Sequence, residues 1–427
     1  MNKLNQILTQ VLENVEPPKE DLKFIEDELE KFLQKLRAKI KSLRINVEIF
    51  VGGSFAKKTL IKKDKYDIDI FLRFDKKYKN EELSDLTKKL LNGFKEVSMV
   101  HGSRDYFNVK LNPFVFFEIV PVAKIKKLQE AENITDLSYS HVKYVNRKVK
   151  SKKVLDEIRV AKAFCYANNC YGAESYINGF SGYGLELLVY SYGSFLKFIR
   201  AIVKSKKDEK IVIDIEKQHK NKSSILMDLN SSKLQSPIVL IDPTYKQRNV
   251  LAALSYETFE KFKKECVAFL KTPSIKSFEV KKTDLEKVKK DAKMKKFEFV
   301  LVEAFTNKQE GDIAGGKLLK FYKHLEMEIS KYFEMKKKGF NYNHKKSARY
   351  FFVVKSKKEL LVKGPFVKDE KNEKRFKKKH KKTFVKKNQI YSREKIDFDI
   401  KKFIEIWKKK NKTKIKEMDV VGLKVFG

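Results

Sequence analysis

The sequence predicts an α+β fold divided into several domains. The chain has 427 residues, 42% of them hydrophobic, which is enough to form more than one core. Apolar residues spaced three and four apart predict helices, and short β-branched and aromatic runs predict strands between them. The pattern turns helical near Lys153 and changes again beyond Phe278. We therefore expect three domains, at residues 1–145, 146–272 and 273–427.

The first 125 residues alternate helices and strands. ILTQVLENV predicts a first helix, ended by Pro17 and Pro18, and a longer helix follows. Another helix is predicted in NEELSDLTKKLLNGF. The predicted strands are NVEIFV, DIDIFLRF, DYFNVKL and FVFFEIVPV. This order of elements predicts an α/β unit around a mixed sheet.

Beyond the first 125 residues, the sequence predicts helices first and then a mixture of helices and strands. The predicted helices before Phe278 are VLDEIRVAKAFCYANN, GYGLELLVYSYGSFLKFIRAIV and SYETFEKFKKECVAFL. Beyond Phe278, KFEFVLVEAF and ARYFFVVKS predict strands, separated by a long helix in GKLLKFYKHLEMEISKYFEM.

The chain is strongly basic. Lys and Arg number 96 against 56 acidic residues, a formal net charge of +40. Such an excess indicates a polyanionic partner, of which nucleic acid is the commonest. A membrane surface is the alternative, but the lysines are dispersed rather than gathered on one amphipathic helix or tail.

The cysteines and the N-terminus indicate a reducing compartment. Cys165, Cys170 and Cys266 have the spacing of neither a disulfide framework nor a zinc site, so we expect buried thiols. The first residues lack the apolar core of a signal peptide, and no run approaches a membrane span. We expect a cytoplasmic protein without a membrane partner.

Two aspartates, Asp67 and Asp69, interrupt the apolar strand DIDIFLRF. Residues two apart on a strand share a face, so both carboxylates point one way while Ile68 and Ile70 enter a core. Adjacent like charges destabilise each other, and Mg²⁺, which prefers oxygen ligands, resolves the conflict. An isolated D-x-D would instead indicate two exposed aspartates at a sheet edge.

A third carboxylate, Glu118, is the single charge in FVFFEIVPV. Burying a lone carboxylate is costly unless it is paired or bound to a metal. The simplest geometry places this strand beside DIDIF, so that three carboxylates converge and hold two metal ions. This arrangement is typical of in-line nucleotidyl transfer, where one ion activates a 3′-hydroxyl and the other steadies the leaving pyrophosphate.

A glycine turn, Gly52–Gly53–Ser54, follows the strand NVEIFV. Backbone N–H groups at a turn between a strand and a short helix can hold triphosphate oxygens. Ser54 adds a hydroxyl, and Lys57 adds a cation one helical turn later. We therefore predict a triphosphate site at Gly53, Ser54 and Lys57.

Gly-Ser followed by D-x-D on a strand resembles the signature of the nucleotidyltransferase superfamily that includes DNA polymerase beta. Longer segments narrow the resemblance to the class I, archaeal-type CCA-adding enzymes (tRNA nucleotidyltransferases). These segments are TDLSYSHVKYV, AKAFCYANNCYGAESYINGFSGYGLELLVYSYGSF, IDPTYKQRNVLAALS and KGPFVKDEKNEKRFKKKHKKTFVKKNQIY.

The resemblance implies a fold and an activity. The fold would be a polymerase-beta-like nucleotidyltransferase head (1–145), a helical neck that binds nucleotide and tRNA (146–272), and a mixed α/β body with a tail that binds tRNA (273–427). The activity would be template-independent addition of C, C and A to the tRNA 3′ end from CTP and ATP, in tRNA maturation or repair. A homodimer and two Mg²⁺ ions per active site are also implied.

The resemblance also assigns the metal ligands. Asp67, Asp69 and Glu118 would be the catalytic residues that hold the ions. Lys57 stands where the family usually has arginine, and Glu118 stands where it usually has aspartate.

Four further residues would bind the incoming nucleotide. By resemblance, His141, Lys162 and Tyr171 would contact its sugar and phosphates, and Arg248 would read its base edge. Simpler interpretations are a surface histidine, a core tyrosine, and an arginine that caps a helix or pairs with a carboxylate. Lys162 falls on a helix face that should be buried, so it either extends its ammonium to water or meets an anion.

A dense basic run, EKRFKKKHKKTFVKK, begins at Glu373. A solvated charge run is the usual interpretation, but its interleaved aromatic residues favour a folded surface that faces RNA. Backbone contacts by lysine and arginine suit recognition of RNA by shape. The predicted tRNA contacts are Lys363, Arg375, Lys377, Lys378 and Lys379.

Two other functions fit parts of these observations. A poly(A) polymerase-like or oligoadenylate synthetase-like enzyme would share the head chemistry with another acceptor. A catalytically inactive RNA-binding protein is disfavoured because all three carboxylate positions are acidic.

Overall fold

The computed structural model describes residues 3–102, 104–206, 209–281, 283–380 and 382–427. The chain divides into two units, Met1–Lys281 and Lys282–Gly427. Both units combine helices with β-sheets, so the predicted α+β class is confirmed. Among the described helices, none is both long and apolar enough to cross a lipid bilayer.

The predicted elements of the first unit occur in the predicted order, but the single helix predicted in GYGLELLVYSYGSFLKFIRAIV is wrong: Gly193, with a φ of 79°, ends one helix and a second begins at Phe195. Its strands are β1 (Val47–Val51), β2 (Tyr66–Phe74), β3 (Val97–Val100), β4 (Tyr106–Lys110), β5 (Val115–Ala123), β6 (Ile211–Ile213), β7 (Ile238–Asp242) and β8 (Tyr245–Asn249). Its helices are α1 (Lys3–Val15), α2 (Lys19–Leu43), α3 (Gly53–Ala56), α4 (Leu83–Leu91), α5 (Ser138–Lys148), α6 (Lys152–Ala167), α7 (Gly182–Tyr192), α8 (Phe195–Lys204), α9 (Lys222–Asp228) and α10 (Tyr256–Lys271).

A five-stranded sheet organises the N-terminal part of this unit. Its strand order is β1-β2-β5-β4-β3, with β2 and β5 parallel and the other neighbours antiparallel. The mixed pairing predicted from the sequence is therefore confirmed. Ile68, Ile70 and Phe117 on one face pack in a core with Ile25 and Phe32 of α2. That burial leaves the opposite face of β2 and β5 for polar side chains.

The helices that follow share a second core, rich in aromatic rings. Phe164 of α6 contacts the rings of Phe195, Phe262 and Phe269. The hydroxyl of Ser181 accepts a hydrogen bond from the Gly184 N–H, which caps α7 and confirms the predicted helix start. The three cysteines are buried free thiols, as predicted.

A small sheet, ordered β6-β7-β8, borders this helical core. All five residues of β7 are buried. A tight connection then reverses the chain into β8, where Ile241 pairs with Asn249 and Asp242 with Tyr245. This hairpin brings Arg248 back beside Asp242.

The second unit contains two antiparallel sheets. Their orders are β10-β11-β9-β15 and β12-β14-β13. The strands are β9 (Glu298–Phe305), β10 (Phe333–Tyr342), β11 (Ser347–Ser356), β12 (Glu359–Phe366), β13 (Thr383–Lys386), β14 (Gln389–Lys395) and β15 (Gly422–Phe426). The helices are α11 (Leu285–Met294), α12 (Asp312–Tyr332), α13 (Glu370–Lys379), α14 (Ile400–Lys410) and α15 (Lys412–Glu417). The dense basic run thus belongs to folded elements, mainly α13 and β13.

Candidate active site

Three carboxylates share the polar face of the five-stranded sheet. Asp69 lies directly opposite Glu118 in the parallel pairing of β2 with β5, which confirms the predicted adjacency of these strands. Paired residues on neighbouring strands point to the same face, and so does Asp67, two residues before Asp69. We call Asp67, Asp69 and Glu118 the acid row.

The protein environment makes ionisation of the acid row unfavourable. Loss of hydration raises the pKa of Glu118 to about 8, and repulsion from Asp69 and Asp67 adds to the rise. Loss of hydration also raises the pKa of Asp69 to about 6, although the charge of Lys57 opposes it. Asp67 is exposed, yet the surrounding protein excludes enough water to raise its pKa against the charge of Lys63. Cations are needed to keep all three groups ionised.

The glycine turn packs directly against the acid row. A Cβ added to Gly53 would lie 1.7 Å from Oδ2 of Asp69, and the φ of Gly53 is +62°. A Cβ on Gly52 would lie 2.4 Å from the ring of Phe71. The Gly52 N–H also donates to the Asp69 carbonyl at 2.9 Å. Only glycine allows α3 to approach β2 this closely.

Ser54 follows this turn as the second residue of α3. It is half-buried, and within the described parts of the chain we find no hydrogen-bond partner for its hydroxyl. The hydroxyl is therefore available to an oxygen-rich ligand next to Asp69.

A fourth oxygen lies beside the acid row. Asn108 of β4 pairs with Glu118 across the antiparallel β4–β5 ladder, so its side chain shares the same face. Its Oδ1 atom is buried and lacks a hydrogen-bond partner among the described residues. Carboxylate and amide oxygens are the ligands that hard divalent cations prefer. The donor set on this face therefore fits such a cation.

Within the described residues, no three His, Cys, Asp or Glu side chains stand together closely enough to hold a metal ion.

A buried carboxylate, Glu186 of α7, holds two of the predicted nucleotide-binding cations. Lys57 Nζ donates to one oxygen of Glu186 at 2.7 Å, and Lys162 Nζ donates to the other at 2.7 Å. The hydroxyl of Thr59 donates to Glu186 at 2.8 Å and accepts from Lys162 at 2.7 Å. We call these four residues the Glu186 cluster. Lys162 thus meets an anion, one of the two alternatives raised by its position on α6.

The Glu186 cluster carries an excess of positive charge. Burial opposes ionisation of Glu186, but Lys162 and Lys57 outweigh it and lower the pKa of Glu186 to about 2. Burial also lowers the pKa of Lys162 to about 8, although Glu186 favours the charged form. One ionised carboxylate therefore faces two ammonium groups, and their surplus charge favours the approach of an anion.

A second buried carboxylate, Asp242 at the end of β7, contacts two further residues predicted to bind nucleotide, His141 and Arg248. Asp242 Oδ2 lies 2.9 Å from Nε2 of His141 and 2.7 Å from Nη1 of Arg248. Its Oδ1 accepts from the hydroxyls of Tyr183 at 3.2 Å and Thr244 at 2.7 Å. We call these five residues the Asp242 cluster. His141 is therefore buried, not a surface histidine, and Arg248 does pair with a carboxylate.

The Asp242 cluster combines charged groups with a neutral imidazole. Burial would raise the pKa of Asp242, but the His141 hydrogen bond and the Arg248 charge hold it well below its usual range. Burial lowers the pKa of His141 against the opposing effect of Asp242, and the charge of Arg248 lowers it further. At neutral pH the cluster thus contains an ionised Asp242, a charged Arg248 and a neutral imidazole.

Tyr171 lies on the side of the site near Lys63. Its hydroxyl would be 2.8 Å from a Cβ on Gly182, so the start of α7 packs directly on it. The ammonium of Lys63 lies 6.0 Å from the centre of the Tyr171 ring and 5.7 Å from that of Tyr166. Because Lys63 also stabilises the ionised form of Asp67, this aromatic pair borders the acid row.

Sequence reasoning missed Glu186, Asp242 and Lys63. Glu186 is the single charge in the apolar helix GYGLELLVYSY, the same signal that identified Glu118. Asp242 ends the apolar run IVLID, and its partners Thr244 and Arg248 follow within six residues, a local signal that could have identified it. Lys63 is one of several lysines before β2, and no sequence signal distinguishes it from the others.

The predicted tRNA contacts lie in the second unit. Arg375, Lys378 and Lys379 are exposed on α13, as are Lys377 on the same helix and Lys363 on β12. Lys377 forms an ion pair with Glu373 at 2.6 Å. Arg375, Lys378 and Lys379 give this helix a positively charged C-terminal half.

Two family models match consecutive parts of the first unit. "Nucleotidyltransferase domain" matches residues 29–161, and "tRNA nucleotidyltransferase, second domain" matches residues 156–279. The first range contains the acid row, and the second contains Glu186, Asp242 and Arg248.

Several curated relatives are named "CCA-adding enzyme". The one from Nanoarchaeum equitans is 40% identical over 213 residues, which are 50% of this chain and 52% of the relative. The one from Methanocaldococcus jannaschii is 30% identical over 295 residues, 67% of this chain and 64% of the relative. The chain thus spans between half and two thirds of the length of these two relatives.

A solved structure titled as the Cid1 poly (U) polymerase shares the fold. It covers 66% of this chain and 99% of its own, at 12% identity and a TM-score of 0.51. At this identity the likeness concerns the fold alone.

One curated relative is matched over most of its length, and this match identifies the family of the chain. The CCA-adding enzyme of Saccharolobus solfataricus is 30% identical over 326 residues, which are 76% of this chain and 72% of the relative. Together with the two family models, this match shows that the chain belongs to the archaeal CCA-adding enzymes of the nucleotidyltransferase superfamily.

Proposed function

We propose that this protein adds C, C and A in turn to the 3′ end of tRNA, using CTP and ATP and releasing pyrophosphate. The observation that carries the proposal is the pairing of Asp69 with Glu118, beside a glycine turn that touches Asp69. A single sheet face thereby presents oxygen ligands next to a surplus of buried positive charge. This combination suits a metal-bound nucleoside triphosphate.

The acid row is proposed to hold two Mg²⁺ ions. Asp67, Asp69 and Glu118 supply the carboxylate oxygens. The amide oxygen of Asn108, which lacks a hydrogen-bond partner among the described residues, lies beside them on the same sheet face. Bound Mg²⁺ would supply charge stabilisation for the attacking 3′-hydroxyl and the leaving pyrophosphate.

The triphosphate is proposed to lie between the glycine turn and the Glu186 cluster. Gly53 brings the backbone of α3 against Asp69, and the Ser54 hydroxyl has no protein partner among the described residues. Lys57 and Lys162 share one counter-charge, so a polyphosphate would offset the second ammonium. These residues orient the leaving group in line with the 3′-hydroxyl.

The nucleoside is proposed to contact the remaining residues of the motifs. His141 and Tyr171 face the sugar and phosphates, and Arg248 reads the base edge. Because Nε2 of the neutral His141 imidazole is bonded to Asp242, Nδ1 is left as an acceptor that suits a ribose hydroxyl.

The acceptor is proposed to bind along exposed lysine and arginine side chains. Lys363, Arg375, Lys377, Lys378 and Lys379 would contact the tRNA backbone, in keeping with the net charge of +40. We further infer a homodimer, as the family resemblance implies, and a cytoplasmic location consistent with three buried free thiols. Sedimentation of the purified protein tests the dimer.

The decisive assay uses tRNA that ends at the discriminator base. With Mg²⁺, we expect extension by two nucleotides with CTP alone and by three with CTP and ATP together. Untemplated growth of any RNA end from ATP alone would instead indicate a poly(A) polymerase-like or oligoadenylate synthetase-like activity.

Gly53→Ala should displace the Asp69 carboxylate and lower the activity, while the chain remains folded. The new Cβ would occupy the position of the Asp69 carboxylate, so that side chain must move. We expect a fall in the single-turnover rate of at least about a hundredfold, as for loss of a positioned charge-stabilising group. Mn²⁺ binding measured by electron paramagnetic resonance should weaken in parallel.

Gly93→Ala is the matched control. Gly93 also has a positive φ, +91°, but nothing lies within 4 Å of an added Cβ. Both variants place alanine at a positive φ, which costs roughly 1–2 kcal/mol. Equal loss of rate in the two variants would show that strain alone, and not displacement of Asp69, is responsible.

Glu186→Gln should destabilise the first unit in a pH-dependent way. The pKa of Glu186 falls from 4.5 to about 2 on folding, so its ion pairs stabilise the fold above pH 4.5 and this contribution is lost as the pH falls towards 2. We expect the free energy of unfolding to decrease by about 3–5 kcal/mol at pH 7, measured with urea. The difference from the unsubstituted protein should shrink between pH 4.5 and pH 3.

Glu48→Gln is the control for this measurement. Glu48 also contacts two cations, Arg73 and Lys124, but its side chain is 47% exposed. An exposed pair contributes less than about 1 kcal/mol, so little change is expected. A loss as large as that of Glu186→Gln would indicate that burial does not determine the effect.

The affinity for tRNA should fall steeply with salt. Arg375→Gln, Lys378→Gln and Lys379→Gln together should reduce the slope of log K against log salt by about three, one for each lost phosphate contact. Fluorescence anisotropy with labelled tRNA gives the slope. Lys331→Gln, which removes an exposed lysine already paired with Glu328 at 2.6 Å, should leave it unchanged. An unaltered slope in the triple variant would place the tRNA elsewhere.

A further inference from the structure

Asp242 is the centre of a fully bonded buried site. Its side chain has no exposed surface, and both of its oxygens accept more than one hydrogen bond. The Thr244 backbone N–H donates to Oδ1 at 2.8 Å, in addition to the Thr244 hydroxyl. The carboxylate is thus fixed in orientation by its own hairpin, at the connection from β7 to β8.

Arg248 contacts the other residues of the cluster through one of its three nitrogens, Nη1. Nη1 lies 2.7 Å from Asp242 Oδ2 and 3.2 Å from Nε2 of His141. Within the described parts of the chain, Nε and Nη2 make no hydrogen bond, and the side chain is 17% exposed. A guanidinium anchored on one side presents its remaining donors in a fixed direction.

His141 is fixed by the same carboxylate. Its ring stacks on Tyr183 with centroids 4.1 Å apart and planes inclined by 22°. The hydrogen bond between Nε2 and Asp242 sets the tautomer of the neutral ring, so that Nδ1 is an acceptor.

We propose that Asp242 is a positioning residue that determines nucleotide selectivity, by fixing the open donors of Arg248 and the tautomer of His141. This inference rests on the proposed function, in which Arg248 reads the base. A donor in a fixed place rejects a base whose acceptor lies elsewhere, whereas a mobile donor adapts to either base.

The test compares Asp242→Asn with a control substitution in a second buried carboxylate–arginine pair, that of Asp136 and Arg104. In Asp242→Asn one acceptor oxygen becomes an amide NH₂ donor, which cannot accept the bonds from Arg248 and His141 or those from Tyr183 and Thr244. The control is Asp136→Asn: Asp136 also has no exposed side-chain surface, accepts from Arg104 at 2.5 Å and binds the Ala123 N–H at 3.0 Å. Both substitutions remove one buried carboxylate bonded to an arginine.

The readout is selectivity for CTP against ATP on tRNA ending at the discriminator base and on tRNA ending in CC. For Asp242→Asn we expect the ratio of kcat/KM for the correct over the incorrect nucleotide to fall about tenfold, chiefly through KM. The single-turnover rate with saturating correct nucleotide should change less than about threefold. Asp136→Asn should keep the ratio, even where its melting temperature falls as far.

Equal ratios in the two variants and the unsubstituted protein would overturn the proposal, because Asp242 would then serve stability alone. If Asp242→Asn does not fold, Thr244→Val removes one bond to Oδ1 and should lower the ratio about threefold. An unchanged ratio in Thr244→Val would then overturn it instead. Failure of the unsubstituted protein to add C, C and A would refute the proposed function, a result distinct from both.

Discussion

The cost of removing three carboxylates on one sheet face from water is the constraint around which the first unit is arranged. The parallel register of β2 and β5 puts Asp69 beside Glu118, and strand alternation adds Asp67. Loss of hydration raises the pKa of Asp69 to about 6 and that of Glu118 to about 8, so Glu118 above all resists ionisation at neutral pH. The apolar residues on the opposite face hold the strands in this register, because a shift of one residue would bury the carboxylates in the core.

Two internal carboxylates arrange the cations that complement this face. Glu186 binds Lys57 and Lys162, and Asp242 binds Arg248 together with His141. In the Glu186 cluster the cations outnumber the carboxylate, so positive charge remains to attract an anion. The unit therefore places an acidic face and a basic cluster side by side, which is the charge pattern that a metal–triphosphate complex requires.

The sequence predicted the sheet and the acid row well because their signals are local. β2 and β5 are apolar runs with few charges, and each charge in such a run demands a partner, which indicated that the strands are neighbours. The Glu186 and Asp242 clusters were not predicted, since each includes a bond between residues far apart in the chain: Lys57 and Glu186 are 129 positions apart, and His141 and Asp242 are 101. The sheet formed by β12, β13 and β14 also lacked a clear signal, because lysines and other polar residues interrupt its apolar residues.

The most direct test of the acid row is anomalous X-ray diffraction from crystals grown with Mn²⁺ and a non-hydrolysable CTP analogue. We expect anomalous peaks in direct contact with carboxylate oxygens of Asp67, Asp69 and Glu118 and with the triphosphate of the analogue. Peaks remote from these three residues, or a Glu118 side chain turned to the opposite face of the sheet, would contradict the account.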